Sequence, residues 1–88
     1  MNSANEFQVG DLIIYNDIVG IIDIFDSLYN KSIKIRFLSA KNANDFYELF
    51  ASAIQVYLYS SADKNLVCKT TDLFALIDNK QLIHQGCL

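Results

Sequence analysis

The sequence predicts a mainly β domain of the α+β class: a small curled antiparallel sheet, open or closed into a barrel, with one short inserted helix. Residues 7–26 form two apolar runs joined by Asn16-Asp17, which is a hairpin pattern. Residues 32–38 show the cleanest alternation in the chain, with Ile33, Ile35 and Phe37 on one side and Lys34 and Arg36 on the other, as in a half-buried strand. The chain also contains no proline, so every backbone N–H group is available to a sheet.

The opening hairpin is the segment that the rest of the chain must cover, because a two-stranded ribbon this apolar is not stable alone. Residues 1–6 are polar and are expected to be loosely ordered. Gly10 lies at a bend before a strand over residues 12–15, and Asn16-Asp17 then forms a tight turn. In the second strand, residues 18–25, Gly20 predicts a bulge or a close backbone approach.

Residues 40–53 admit two interpretations. Asn44 can cap a short helix with Asp45 near its positive end, and apolar residues follow at helical spacing. As a strand the same residues would not alternate cleanly. We therefore expect a helix of about two to three turns here.

The next two strands are predicted over residues 54–59 and 66–70, joined by a polar turn. Alternation in the first of these strands assigns three apolar residues to the core and three polar or aromatic residues to the surface. The inward set is Ile54, Val56 and Leu58, and the outward set is Gln55, Tyr57 and Tyr59.

Residues 71–86 also admit two interpretations. In the first, a helical stripe ends at Gly86 and consists of Leu73, Leu76, Ile77 and Ile83. Alternatively, Asp72 begins a turn, residues 74–77 form a closing strand, and residues 79–88 are a loose tail. We prefer the closing strand, because the first strand of a curled sheet needs a partner at its free edge.

Length and composition indicate one cytoplasmic domain over residues 1–88, with a net charge of −3. This acidic balance disfavours non-specific binding to nucleic acid or to anionic membranes. The N-terminus lacks the features of a signal peptide, and no apolar run is long enough to span a bilayer. Acidic side chains dominate residues 1–26 and basic ones residues 31–41, which predicts an electrically lopsided sheet.

The motif Phe7-x-Val9-Gly10-Asp11, followed by a glycine-aliphatic second strand and by Ile33-Lys34-Ile35-Arg36-Phe37, resembles the small Src-homology-3-like barrels of the CarD, KOW and Tudor kind. The resemblance implies a non-catalytic binding module, since such barrels dock on RNA polymerase, ribosomes, nucleic acid or modified peptides. The insertion at residues 40–53 departs from the minimal barrel. The composition also resembles that of small proteins from AT-rich phages.

Few residues suggest catalysis or a cofactor, and we expect neither an enzyme nor a bound cofactor. His84 and Cys87 stand close in sequence but lack an oriented third group. One histidine and two cysteines cannot complete a structural zinc site. The glycines are isolated, so no phosphate-binding loop is present.

The candidate binding residues form two sets. One is a basic and aromatic sheet face, and the other is an acidic hairpin whose carboxylates could gather at one end. The first set is Lys34, Arg36, Gln55, Tyr57 and Tyr59, and the second is Asp17, Asp23 and Asp26.

These sets lead to two hypotheses for function. The first is a protein-interaction module, such as an inhibitor or adaptor that docks on a nucleic-acid-processing machine. The alternative is direct binding of single-stranded nucleic acid by base stacking and phosphate contact. A homodimer formed through an unpaired edge at residues 66–70, or through the tyrosine face, is a further expectation.

Overall fold

The computed structural model describes residues 7–26, 32–38 and 43–87. They form six strands and two helices. In chain order the elements are β1 (Asp11–Tyr15), β2 (Ile18–Asp26), β3 (Ser32–Phe37), α1 (Ala43–Ala51), β4 (Val56–Ser60), β5 (Asn65–Lys69), α2 (Thr70–Asp78) and β6 (Leu82–Cys87).

The strands form one antiparallel sheet in the order β4-β5-β3-β2-β1-β6. The mainly β class is therefore confirmed, with two helices where the sequence predicted one. The sheet is not closed into a barrel: over the described residues β4 and β6 are its two edges. β5 pairs on both sides, so the unpaired edge expected at residues 66–70 does not exist.

The β1–β2 hairpin forms as the sequence predicted. Asn16 and Asp17 adopt left-handed φ angles of 54° and 67°, and Tyr15 pairs directly with Ile18. Two successive left-handed residues match the twist of the flanking strands, which explains why Asn and Asp occupy this turn. Gly20 marks a close approach: a Cβ atom there would lie 2.7 Å from Cγ2 of Ile35.

Both helices pack on one face of the sheet, which we call the inner face. In α1, Phe46 stacks on Phe37 of β3 with ring centroids 4.1 Å apart, and Phe50 meets the ring of Tyr15 edge-on at 5.0 Å. The core buries aliphatic side chains from the five strands β1, β2, β3, β5 and β6 together with these aromatic rings. Its fully enclosed members include Ile13, Ile22, Ile35, Leu66, Cys68 and Leu73.

The alternation predicted for β4 fails at its centre. The register with β5 shifts between Val56 and Leu58, so Tyr57 is an extra residue and the strand changes phase there. As a result Leu58 points away from the core and is 62% exposed. Tyr59 instead turns to the inner face, where its ring stacks on Tyr47 of α1 at 4.2 Å.

The C-terminal prediction also needs correction. Residues 74–77 belong to α2, whose side chains Leu73 and Leu76 are buried in the core. The expected closing strand is β6, within the segment that was expected to be a loose tail. Lys80 takes a φ angle of 62°, and the N–H of Gln81 donates to the carbonyl of Leu76 (2.9 Å). This left-handed turn ends the helix and returns the chain to β1.

Candidate functional site

The face of the sheet opposite the helices, which we call the outer face, follows directly from the strand register. Residues that pair directly across two strands share a face, so the pairings identify its members. They include Leu12, Ile14, Val19, Ile21, Asp23, Lys34, Arg36, Leu58, Val67 and Ile83. Neither of the helices among the described residues lies on this face.

The β6–β1–β2 side of the outer face is aliphatic. Ile14 pairs with Val19 on one side and with Ile83 on the other, and Leu12 pairs with Ile21 in the next row. Four of these five side chains are half-buried, and Ile83 is 58% exposed. The rows therefore form a continuous apolar surface that neither helix of the described residues covers, and such a surface on an antiparallel sheet commonly marks a contact site.

The centre of the outer face carries a charged cluster of Asp23, Lys34 and Arg36. Asp23 Oδ2 lies 3.6 Å from Lys34 Nζ and 3.8 Å from Arg36 Nη2. Asp23 of β2 stands directly opposite Lys34 of β3, so this carboxylate of the acidic hairpin lies among the cations of the basic strand. A shallow depression beside the cluster holds about 170 Å³, with exposed Val9 at its rim.

The predicted basic and aromatic face is divided in the structure. Lys34 and Arg36 lie on the outer face, whereas Tyr59 lies on the inner face and donates its hydroxyl proton to Asn44 Oδ1 (2.9 Å). Desolvation, together with the neighbouring Tyr47 and Glu48, raises the pKa of Tyr59 above its ordinary value.

The other two members of that predicted set remain accessible, but they lie on or beside the edge strand β4. Tyr57 is 40% exposed at the bulge, and Gln55 is exposed just before the strand begins. β5 separates β4 from β3, so these side chains do not join Lys34 and Arg36 in one row.

The three predicted aspartates do not gather at one end of the hairpin. Asp17 lies in the turn before β2, and Asp26 is the last residue of that strand, with its side chain outside the described residues. At about 3.3 Å of rise per residue, Asp17 and Asp23 are roughly 20 Å apart. Over residues 7–26, 32–38 and 43–87, no three His, Cys, Asp or Glu side chains are placed to hold a metal ion.

The buried polar pair of Asp11 and His84 was not among the predicted site residues. His84 Nε2 lies 2.7 Å from Asp11 Oδ2, which also accepts a hydrogen bond of 3.0 Å from the backbone N–H of Gln8. A carboxylate accepts hydrogen bonds, so His84 Nε2 is the donor in this pair. The ring also packs against Phe7, with centroids 4.6 Å apart. His84 is therefore held in one orientation, where the sequence suggested a mobile tail.

A cavity of about 900 Å³ opens between α2 and β6. Its walls are mostly apolar, the ring of His84 forms part of them, and one acidic and one basic residue are also among its lining residues. The lining residues are Phe74, Ile77, Asp78, Lys80, Leu82, Ile83 and His84. No feature of the sequence had pointed to this cavity, because α2 and β6 were not predicted as separate elements.

No protein-family model matches the chain, and comparison with curated proteins and with solved structures finds no significant match. Neither helix in the described part of the chain is long and apolar enough to cross a membrane. Any functional conclusion therefore depends on the surfaces themselves.

Proposed function

We propose that this domain acts by binding a protein partner through the outer face of its sheet. The observation that supports this proposal is the placement of both helices on the inner face, which leaves the aliphatic rows of β6, β1 and β2 without a covering helix among the described residues. Protein interfaces commonly combine an apolar centre with polar groups at the rim. Here Asp23, Lys34 and Arg36 supply those polar groups.

The proposed partner is a positively charged protein that presents an aliphatic patch. The chain has a net charge of −3, which steers it toward positively charged protein surfaces. Such surfaces are common on machines that process nucleic acid, because those machines hold phosphates. We therefore retain, as part of the proposal, an inhibitor or adaptor that docks on a machine of this kind.

Direct binding of single-stranded nucleic acid is the weaker alternative. It needs free cations beside stacked aromatic rings, but Lys34 and Arg36 share the carboxylate of Asp23. Tyr59 is engaged with α1 on the opposite face. The arrangement thus favours a protein partner over a phosphate backbone.

The proposal is tested by quantitative capture from nuclease-treated lysate of the source cell, using the immobilised full chain. Arg36→Glu and Val9→Asp change exposed side chains at the outer face, and Lys64→Glu is a charge-matched control in an exposed turn. We expect one partner protein that both outer-face variants lose by at least tenfold and that Lys64→Glu retains.

Two results would contradict the proposal. Retention of the same partner by both outer-face variants would show that the outer face is not the contact surface. Retention of nucleic acid from untreated lysate, with loss of every protein after nuclease treatment, would favour the alternative.

A further inference from the structure

We propose that an extended peptide segment of the partner protein adds to the free edge of β6 as a further strand, with alternate side chains in the cavity between β6 and α2. This inference accepts the proposed function, protein binding, and names the kind of partner segment. It concerns a second surface, separate from the charged cluster of the outer face.

The inference is based on the position of the cavity, which follows the backbone of β6. Leu82, Ile83 and His84 are consecutive residues, and all three line the cavity. Neighbouring side chains of a strand point to opposite faces, so a cavity bordered by all three must extend along the strand backbone. β1 occupies one edge of β6, and the cavity therefore runs along the other edge, with which no strand among the described residues pairs.

That edge lacks the charged residues and the proline that commonly discourage strand pairing. Residues 82–87 contain no Lys, Arg, Asp, Glu or Pro, and Ile83 is 58% exposed. At the opposite edge of the sheet, the bulge at Tyr57 interrupts β4 in mid-strand. In β6 the register shift leaves out Gln85, which keeps Leu82–His84 as a regular stretch. An added strand can pair with this stretch by main-chain hydrogen bonds.

The cavity is built to accept side chains. Phe74, Ile77 and Leu82 form apolar walls, and about 900 Å³ is within the range of pockets that enclose small ligands. The hydrogen bond from His84 to Asp11 and the contact of its ring with Phe7 hold the polar wall in place. A wall that is already ordered loses less entropy when a peptide binds.

The charges around the cavity indicate which charge the bound peptide carries. Asp78 lies in the last turn of α2, where the carbonyl groups give the helix end a partial negative charge. Lys80 opposes this charge from the turn that follows, but the whole chain is acidic, with a net charge of −3. We therefore expect the bound peptide to be an extended segment in which every second residue is apolar, with a Lys or Arg that lies beside Asp78.

The test uses the ¹⁵N-labelled full chain and a synthetic probe, acetyl-Lys-Val-Thr-Val-Thr-Val-Thr-amide. Two further probes carry N-methyl groups on either the odd or the even residues. In an added strand only one set of amides faces β6, so one methylated probe should lose at least tenfold in affinity while the other binds normally. Amide shifts should be concentrated at residues 74–86.

Matched protein variants complete the test. Ile83→Asp and Leu58→Asp each place a charge at an exposed aliphatic position on one edge of the sheet. We expect Ile83→Asp to weaken probe binding at least tenfold and Leu58→Asp to leave it unchanged. A probe in which Glu replaces Lys should bind several-fold more weakly.

The inference is overturned if the probe gives no saturable shifts, if both methylated probes bind equally, or if the shifts cluster at β4. These failures are distinct from failure of the proposed function. Capture of a partner that remains sensitive to Arg36→Glu, without probe binding, would reject the β6 site alone. Probe binding at β6, with capture insensitive to Arg36→Glu, would reject only the outer face.

Discussion

His84 Nε2 lies 2.7 Å from Asp11 Oδ2, a hydrogen bond between residues 73 positions apart that joins the last strand to the first. Both side chains are largely buried, with 13% of His84 and 6% of Asp11 exposed. The bond lies on the inner face, where Ile13 and His84 are direct partners in the β1–β6 ladder. It secures the strand that both closes the β1 edge and borders the proposed peptide site.

Asp11→Ala should lower the free energy of unfolding by about 2–4 kcal/mol, because it leaves a buried imidazole and the N–H of Gln8 without their acceptor. Urea denaturation measures this change, and Asp78→Ala serves as an exposed control. A double-mutant cycle with His84→Leu, whose side chain cannot donate a hydrogen bond, should give a coupling of about 1–3 kcal/mol. A coupling near zero would mean that the bond adds nothing to the β1–β6 pairing.

Gly20→Ala should cost about 1–3 kcal/mol of stability, because the new methyl group would meet Cγ2 of Ile35 at 2.7 Å. Ile35→Leu removes that methyl branch. Gly20→Ala should therefore cost less stability in the Ile35→Leu background than in the parent protein. Thermal unfolding of the four proteins measures both effects. Full additivity of the two substitutions would contradict the close approach.

Asp17→Gly should raise stability by about 0.5 kcal/mol, because glycine accepts the left-handed angle that Asp17 holds at φ 67°. Asp17→Val should lower it by about 1–2 kcal/mol, since a β-branched residue resists that angle. The midpoint urea concentration should be highest for Asp17→Gly, intermediate for the parent protein and lowest for Asp17→Val. A valine variant as stable as the parent would exclude the left-handed turn.

Cys68 should make stability fall in alkaline solution. Burial, with a smaller effect of the Asp72 charge, raises the pKa of the Cys68 thiol to about 12. In the unfolded chain the thiol ionises near its ordinary pKa of 9.0. The contribution of the protonated, buried thiol to folding stability is therefore complete below that pH and is lost as pH rises toward 12. The loss should reach about 1–1.5 kcal/mol at pH 10.

The measurement compares Cys68→Val with the parent, both carrying Cys87→Ser, by urea unfolding from pH 7 to pH 10. Tyrosines and lysines titrate equally in the two proteins, so the difference isolates the thiol. An unchanged difference across this range would show that Cys68 ionises equally easily in the folded state.

Asp23→Asn should change stability by less than about 1 kcal/mol, because its partners are partly exposed and the ion pairs are long. The same variant frees Lys34 and Arg36 from their shared acid, so it is the form most able to bind phosphate. We expect neither the parent nor Asp23→Asn to shift a labelled single-stranded oligonucleotide at low salt. A shift that Arg36→Ala removes would favour the nucleic-acid alternative.

Local patterns were predicted well from the sequence. The Asn16-Asp17 turn, the alternation of β3 and the helical spacing of α1 each depend on residues within a few positions of one another. Their signals can be read without knowing what they pack against, because backbone preference and side-chain period are properties of a short segment. The charged outer-face residues Lys34 and Arg36 were found in this way.

The candidate sites were harder to predict, because each depends on pairing between distant segments. Tyr59 changes face because of a bulge that exists only in the β4–β5 register. Lys34 and Arg36 share Asp23 only because β2 and β3 are neighbours. Asp11 itself, an acidic residue immediately after Gly10 at the start of an apolar strand, carried no prediction of burial or of a partner.

The sequence by itself determined a β-rich chain opened by an apolar hairpin, since turn chemistry and alternation act over short distances. It also indicated that the β1 edge needs a partner. Only the tertiary structure decided that Leu82–Cys87 supplies that partner and that residues 74–77 become helix. Residues 74–77 and residues 82–87 are both apolar enough to form the strand that pairs with β1. Burial of Leu73 and Leu76 against the sheet, and the bond from His84 to Asp11, select one arrangement over the other.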